Sequence, residues 1–168
     1  MHDAARLIEP QIPALRRYAF ALTRDHHRAD DLVQDCLERA IGRWYLRRSD
    51  GDLRAWLFAI LHNLFVSGLR RERGRPRHED LDDAAGANVP GGQEGALVGR
   101  DILRALEALP MDQRAVLLLV GVEGLSYEAA GRVLGVPLGT VMSRLSRARE
   151  AMRRHLEGER PATLRRVK

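Results

Sequence analysis

Ile12, Leu15, Tyr18, Ala19 and Leu22 recur at spacings of three and four, which predicts a helix with one apolar face. Leu32, Val33, Cys36, Leu37, Ala40 and Ile41 repeat the pattern and predict a second helix over residues 29–43. Asp30 and Asp31 suit the positive end of that helix's dipole. The period breaks at RWYLRRSDGD, a loop with a turn at Asp50-Gly51. A third helix is expected over about residues 53–73, burying Leu57, Ile60, Leu61, Leu64 and Phe65. Further on, Val98, Ile102, Ala105, Leu106 and Leu109 form another stripe, ended by Pro110. Residues 115–120 are apolar nearly all round, as in a helix enclosed by its neighbours. VLLLV is β-prone in composition, but its flanks favour helix. The expected fold class is all-α.

The stretch LSYEAAGRVLGVPLGTVMSRLSRAREAMRRHL carries the most information. Ser126 is placed to cap a short helix that turns Ala129, Ala130, Val133 and Leu134 inward. Gly135 can end it with a positive φ. Pro137 is placed to open the next helix, where its missing N–H does no harm. Val141, Leu145, Ala148, Met152 and Leu156 share one face of that helix. Ser143, Arg147, Glu150 and Arg154 occupy the opposite face, with Thr140, Met142 and Arg144 near the N-terminal end. Small alanines let the two helices approach, and the basic tip can enter a DNA major groove. An arginine fork suits guanine or phosphate. The alternative is an ordinary helical hairpin with a solvated arginine face. It leaves the coincidence of cap, turn, small contact and basic tip unexplained.

Charge divides the chain in three. Residues 1–73 hold 13 basic and 10 acidic side chains, and residues 98–168 hold 13 and 8. Between them, GRPRHEDLDDAAGANVPGGQEGAL holds five acids, two arginines, five glycines and two prolines. It has no apolar period and reads as a flexible acidic linker. Each flanking half is close to the lower size limit for an independent domain, so partner contacts matter to both. Residues 140–168 carry nine basic against three acidic groups, a field that attracts a polyanion. All the basic residues except Lys168 are arginines, a usage that GC-rich coding also produces. In the second helix, Asp31, Gln34, Asp35 and Glu38 form an acidic strip, either a solvated face or a dock for a basic protein.

DDLVQDCLERAI, then LRAWLFAILHNLFVSGLRRER, then LSYEAAGRVLGVPLGTVMSRLSRARE resemble, in order and spacing, the extracytoplasmic-function (ECF) sigma factors of bacterial RNA polymerase. The resemblance spans nearly all of residues 9–157. It implies a sigma region 2 bundle at 9–73, a linker at 74–97 and a region 4 helix-turn-helix at 98–157. It implies core RNA polymerase as partner, through the β′ clamp helices and the β flap, with Asp31, Gln34, Asp35 and Glu38 on the clamp. It implies promoter DNA as the second partner. At the −10 element the matching residues are Asn63, Ser67, Arg54, Arg70 and Arg71. Arg47, Arg48 and Arg73 add charge, and Trp44, Tyr45, Trp56 and Phe65 are walls or core, Trp56 on the side of core. Capturing melted single strand needs such a basic surface and a platform for an unstacked base. At the −35 element the matching residues are Thr140, Ser143, Arg144 and Arg147 in the groove, with Arg149 and Arg153 on phosphates. Met142 departs from the Lys or Arg of many relatives and offers a contact to a thymine methyl instead. The linker would thread toward the polymerase active centre, its acidity either mimicking nucleic acid or merely solvating a spacer. An anti-sigma factor, often membrane-bound, is the expected inhibitor.

The sequence supplies no chemistry of its own. It has no P-loop, no Gly-rich dinucleotide turn and no metal-spaced histidine set, so no cofactor, metal or small-molecule substrate is expected. Asp82 and Asp83 in the linker are not supported as catalytic carboxylates. His26-His27 reads as a loop feature, and His62 as a surface or capping histidine. Cys36, the one cysteine, excludes an internal disulfide and reads as a buried small hydrophobe. No apolar run reaches the roughly 18 residues of a membrane span, and MHDAARLIEP lacks a signal-peptide core, so a cytoplasmic protein is expected. Two other classes compete. A sigma mimic that sequesters an inhibitor need not keep a basic recognition helix. An ordinary regulator using only the helix-turn-helix leaves the acidic strip and the Asn63 helix without a role.

Overall fold

Every element of the computed structural model, which describes residues 2–74 and 93–158, is helical. The linker stretch 75–92, with Asp82 and Asp83, and the basic tail beyond residue 158 lie outside the described residues. Helix α1 (His2–Ile8) runs through a 3-10 turn, Glu9–Gln11, into α2 (Ile12–Thr23). Next come α3 (His26–Gly42), a 3-10 turn at Trp44–Leu46, and α4 (Leu53–Arg73). The C-terminal half holds α5 (Gln93–Glu107), α6 (Met111–Leu117), α7 (Tyr127–Leu134) and α8 (Leu138–Gly158).

Capping explains most of these boundaries. The Asp52 carboxylate accepts from the Ala55 N–H at 3.0 Å and starts α4 where the apolar period begins. Asp25 does the same for α3, accepting from the Arg28 N–H at 3.0 Å. That contact holds the Asp25 carboxyl below its usual range. Helix α3 therefore starts at His26 rather than 29, and Asp30 and Asp31 sit a turn inside it instead of at its dipole end. His26-His27 thus opens a helix rather than belonging to a loop, and His26 stacks on Phe20 with ring centroids 4.3 Å apart.

Helices α2, α3 and α4 pack around Leu15, Tyr18, Cys36, Leu57, Phe58 and Leu61, all with at most 1% exposure. Phe58 meets Tyr18 edge-on at 5.3 Å. Cys36 lies in this core as expected, and burial pushes its thiol up to about 12, so it is not a reactive thiolate. Trp56 and Trp44, both half-buried, meet edge-on at 6.2 Å against this core. Tyr45 is exposed, and Ile60 is only half-buried, packed against the core rather than inside it.

In the C-terminal half, α6 and α8 pack on each other, with Val116, Leu119, Val141 and Leu145 in the core. After Leu117 the helix widens into a π-helical stretch, Leu118–Val122. The enclosed helix expected over 115–120 is present, but in two hydrogen-bonding registers. Helix α5 begins at Gln93, so helix reaches back into the stretch read as linker. Its stripe is only half covered: Ala105 and Leu109 are buried, whereas Val98 and Ile102 stay exposed.

The two halves do not stand apart. Helix α4 packs against α7, and α2 touches α6 and the π-helical stretch. One apolar core runs through both, from Ile8 to Leu145. Two bundles this small gain by sharing burial, since each alone hides a low fraction of its surface.

Candidate nucleic-acid and polymerase interfaces

The helix-turn-helix is built by local chemistry. The Ser126 hydroxyl accepts from the Ala129 N–H at 3.1 Å and caps α7. Gly135 closes α7 at φ 66°, a left-handed conformation that costs glycine little. The N–H groups of Gly135 and Val136 both donate to the Gly131 carbonyl. Gly131 has a second reason to lack a side chain: a Cβ there would lie 3.0 Å from the Val136 carbonyl oxygen. The Pro137 carbonyl then accepts from Thr140 and Val141. Pro137 is thus the cap of α8 and not its first residue, one position earlier than expected.

Helix α8 separates the expected groove residues into two groups. Ser143 and Arg147 are exposed on one face beside half-buried Thr140 and Arg144. Arg154, seven residues after Arg147, continues that face two turns on. Arg149 and Arg153 instead line a groove with Leu117, Met152 and Leu156 on another side. Arg153 is also held by Glu150 at 2.5 Å. Arg144 is 26% exposed and paired with Asp112 at 3.4 Å, so its guanidinium points back toward the body of the protein. Met142 is exposed, available to a partner surface.

Helix α4 also divides its candidates. Asn63, Ser67 and Arg70 are exposed and recur at four and three, one continuous strip. Arg54 lies nine residues before Asn63, about two and a half turns away and so on the opposite side. Its guanidinium is spent inside the protein: it donates to Glu123 Oε2 and to the Glu123 carbonyl, each at 2.9 Å, and to Gln11 Oε1 at 3.0 Å. Arg71 lines a groove between α3 and α4 together with Asp31, Asp35 and Leu64. Arg71 is therefore closer to the acidic strip than to Asn63.

The acidic strip itself is present. Asp31, Gln34, Asp35 and Glu38 are all exposed on α3, and the Gln34 amide donates to Glu38 at 3.1 Å. Asp31 and Asp35 open onto the groove that Arg71 also lines.

His62 corrects the sequence reading. It is neither a surface nor a capping residue but is buried to 9% exposure, with Nδ1 3.0 Å from the Tyr18 hydroxyl. Burial pushes its pKa down from 6.5 to about 4. A folded pKa below the unfolded one means that the unfolded chain takes up the proton first as pH falls. The stability tied to neutral His62 is complete above pH 6.5 and is lost as pH falls toward about 4. The full loss is about 3 kcal/mol. The thermal midpoint of the wild type is expected to drop across that interval, and that of His62→Gln to drop less; calorimetry at stepped pH measures both.

Arg17 and Glu123 escaped the sequence reading altogether. Glu123 has a 1% exposed side chain held by Arg17 and Arg54, partners that lie 106 and 69 residues away in sequence. No local pattern signals such a pairing. Among the described residues there is no cluster able to hold a metal ion, and no helix long and apolar enough to cross a membrane.

Comparison with known proteins decides the family. Residues 8–62 match the "Sigma2 domain of PhyR" and residues 99–152 match "Sigma-70, region 4". The chain is 40% identical over 141 residues to the ECF RNA polymerase sigma factor EcfG of Rhodopseudomonas palustris, covering 84% of this chain and 78% of that protein. The chain belongs to the ECF RNA polymerase sigma factors. The sigma factor SigE of Mycolicibacterium smegmatis is 37% identical over 156 residues, 89% of this chain and 60% of the relative. In three dimensions the sigma factor RpoE of Bartonella quintana, solved with the anti-sigma factor NepR, superposes with a TM-score of 0.78 at 34% identity. That match covers 95% of this chain and all of the other. Two sigma-type helical domains, region 2 and region 4, are thus the architecture of this ECF sigma factor.

Proposed function

We propose that this sigma factor binds core RNA polymerase, directs it to a promoter through two DNA elements, and catalyses no reaction itself. Residues 9–73 act as region 2 and residues 98–157 as region 4. Asp31, Gln34, Asp35 and Glu38 meet basic side chains of the polymerase clamp, where charge complementarity sets orientation and rate. Asn63, Ser67 and Arg70 receive the melted −10 strand, the Asn63 amide both donating to and accepting from a base. Arg54, once released from Glu123, and exposed Arg71 add phosphate contacts. Thr140, Ser143, Arg144 and Arg147 enter the −35 major groove, and Arg149 and Arg153 sit on flanking phosphates. An anti-sigma factor of the kind bound to the Bartonella relative is the inhibitor.

The observation that carries this reading is the exposed Ser143–Arg147 face of α8, set at a fixed angle by the capped α7 and the left-handed Gly135. Arg147→Ala is expected to weaken binding of the polymerase complex to a −35 duplex by about tenfold, the value of a good base contact. Association with core polymerase should stay at the wild-type level. Fluorescence anisotropy on labelled duplex, beside co-elution with core enzyme, reads both. Loss of co-elution with intact DNA binding would refute the division of labour. A mimic that only sequesters an inhibitor is suggested by the PhyR-type match of residues 8–62. Such a protein would show no effect of Arg147→Ala on anything but solubility.

A further inference from the structure

Glu123 is a carboxylate with a 1% exposed side chain, placed where the two halves of the chain meet. Arg17 of α2 grips it with two parallel bonds, Nε to Oε1 at 2.9 Å and the terminal amino group to Oε2 at 2.8 Å. Arg54 of α4 binds Oε2 and the Glu123 backbone carbonyl as well. Fork-to-carboxylate geometry of this kind is the strong form of the ion pair. Both cations come from region 2 and the anion comes from region 4. The backbone is shaped for the task. The π-helical stretch Leu118–Val122 shifts the register so that the Glu123 N–H donates to the Leu118 carbonyl at 2.8 Å. Gly124 then turns away at φ 70°. Insertions of this type recur where a helix serves a function.

A second contact of the same polarity lies along α2. Arg24, the residue that caps α2, pairs with Glu107 at the end of α5. Elsewhere along the same contact, His62 and Val66 of α4 line a cavity with Met111, Ala115, Leu134 and Arg144 of region 4. The closed arrangement therefore engages one candidate DNA residue, Arg54, whereas Arg144 is paired with Asp112 of its own domain.

We propose that Glu123 is an internal clasp that holds region 4 onto region 2 in the isolated chain and so withholds Arg54 from DNA. Opening the clasp hydrates Glu123 and frees Arg54 for phosphate contacts. The DNA consequence rests on the function proposed above; the clasp itself does not.

The test uses the full chain alone, without polymerase or DNA. Donor and acceptor dyes are placed on Tyr45→Cys and Arg132→Cys, exposed positions of the two domains. Buried Cys36 stays unlabelled. Glu123→Gln is expected to raise the ratio of open to closed chain by about tenfold or more, the worth of charge-assisted hydrogen bonds, and transfer efficiency falls accordingly. Arg17→Gln, a change to a half-exposed side chain in the other domain, should open the chain in the same way. The double variant should open it no further than the stronger single one, because both remove the same contact. Circular dichroism checks that each variant keeps its helices, and if Glu123→Gln does not, Arg17→Gln decides alone. An open-to-closed ratio within twofold of wild type in the folded variants overturns the clasp. So does opening by Glu123→Gln with Arg17→Gln unchanged. Either result leaves the sigma reading untouched, since promoter binding is measured separately.

Discussion

Replacing Asp31 and Asp35 together with arginine is expected to abolish measurable association with core RNA polymerase, a loss of at least about a hundredfold. Like charges brought together at an interface cost several kcal/mol, and each factor of ten corresponds to about 1.4 kcal/mol. Both side chains are exposed on α3, so the helix has no structural need of their charge. The variant should keep the wild-type melting temperature. Wild-type association should weaken as salt rises, because exposed charges are screened over about 10 Å at 0.1 M. The reversed variant should gain slightly over the same titration as repulsion is screened. Co-sedimentation with sigma-free core enzyme over a salt series measures both trends. Binding of the reversed variant at the wild-type level would remove the acidic strip from the interface.

Phe58→Ala is expected to be the most destabilising single change in region 2. Phe58 is fully buried, meets Tyr18 edge-on, and lies under the Arg54 guanidinium at 5.3 Å from its ring centroid. Truncating a buried phenylalanine costs about 3–5 kcal/mol, against roughly 5–15 kcal/mol for a whole domain. Urea titration should show the unfolding free energy falling by that amount, with a lower midpoint at unchanged slope. Because one core runs through both halves, the region 4 helices should lose protection in the same transition. Two separate transitions, with region 4 unaffected, would show that the shared core contributes no coupling.

These expectations draw unequally on sequence and structure, and the reason lies in the range of each interaction. The helix-turn-helix was legible because its signals are local: Ser126 acts three residues away, Gly135 within its own turn, and the apolar face repeats every turn. Helix α4 was placed from 53 to 73 for the same reason. The start of α3 was missed because His26, His27 and Arg28 carry no apolar period, so only the Asp25 cap marks it. His62 was misplaced because its partner, Tyr18, is 44 residues away. Val98 and Ile102 belong to an apolar stripe that α5 leaves partly uncovered, because no local pattern says which part of a stripe finds a neighbour. Glu123 was invisible, since a π-helical stretch and arginines from two other helices define its setting. Site residues fared likewise. Asn63, Ser67 and Arg70 fall on one strip, as spacing alone requires. Arg54 is turned inward by a contact between domains and Arg144 by Asp112 of α6, neither of which spacing encodes.

The central claim is that this chain confers promoter choice on a polymerase that lacks it. The direct test adds purified protein to sigma-free core RNA polymerase and a promoter library, then sequences the transcripts. The account predicts co-elution with the core enzyme and initiation from templates that share two spaced elements, with starts lost in Asp31→Arg/Asp35→Arg. It would be contradicted by an absence of transcripts and of co-elution at low salt with any inhibitor removed, or by tight duplex binding that needs no polymerase.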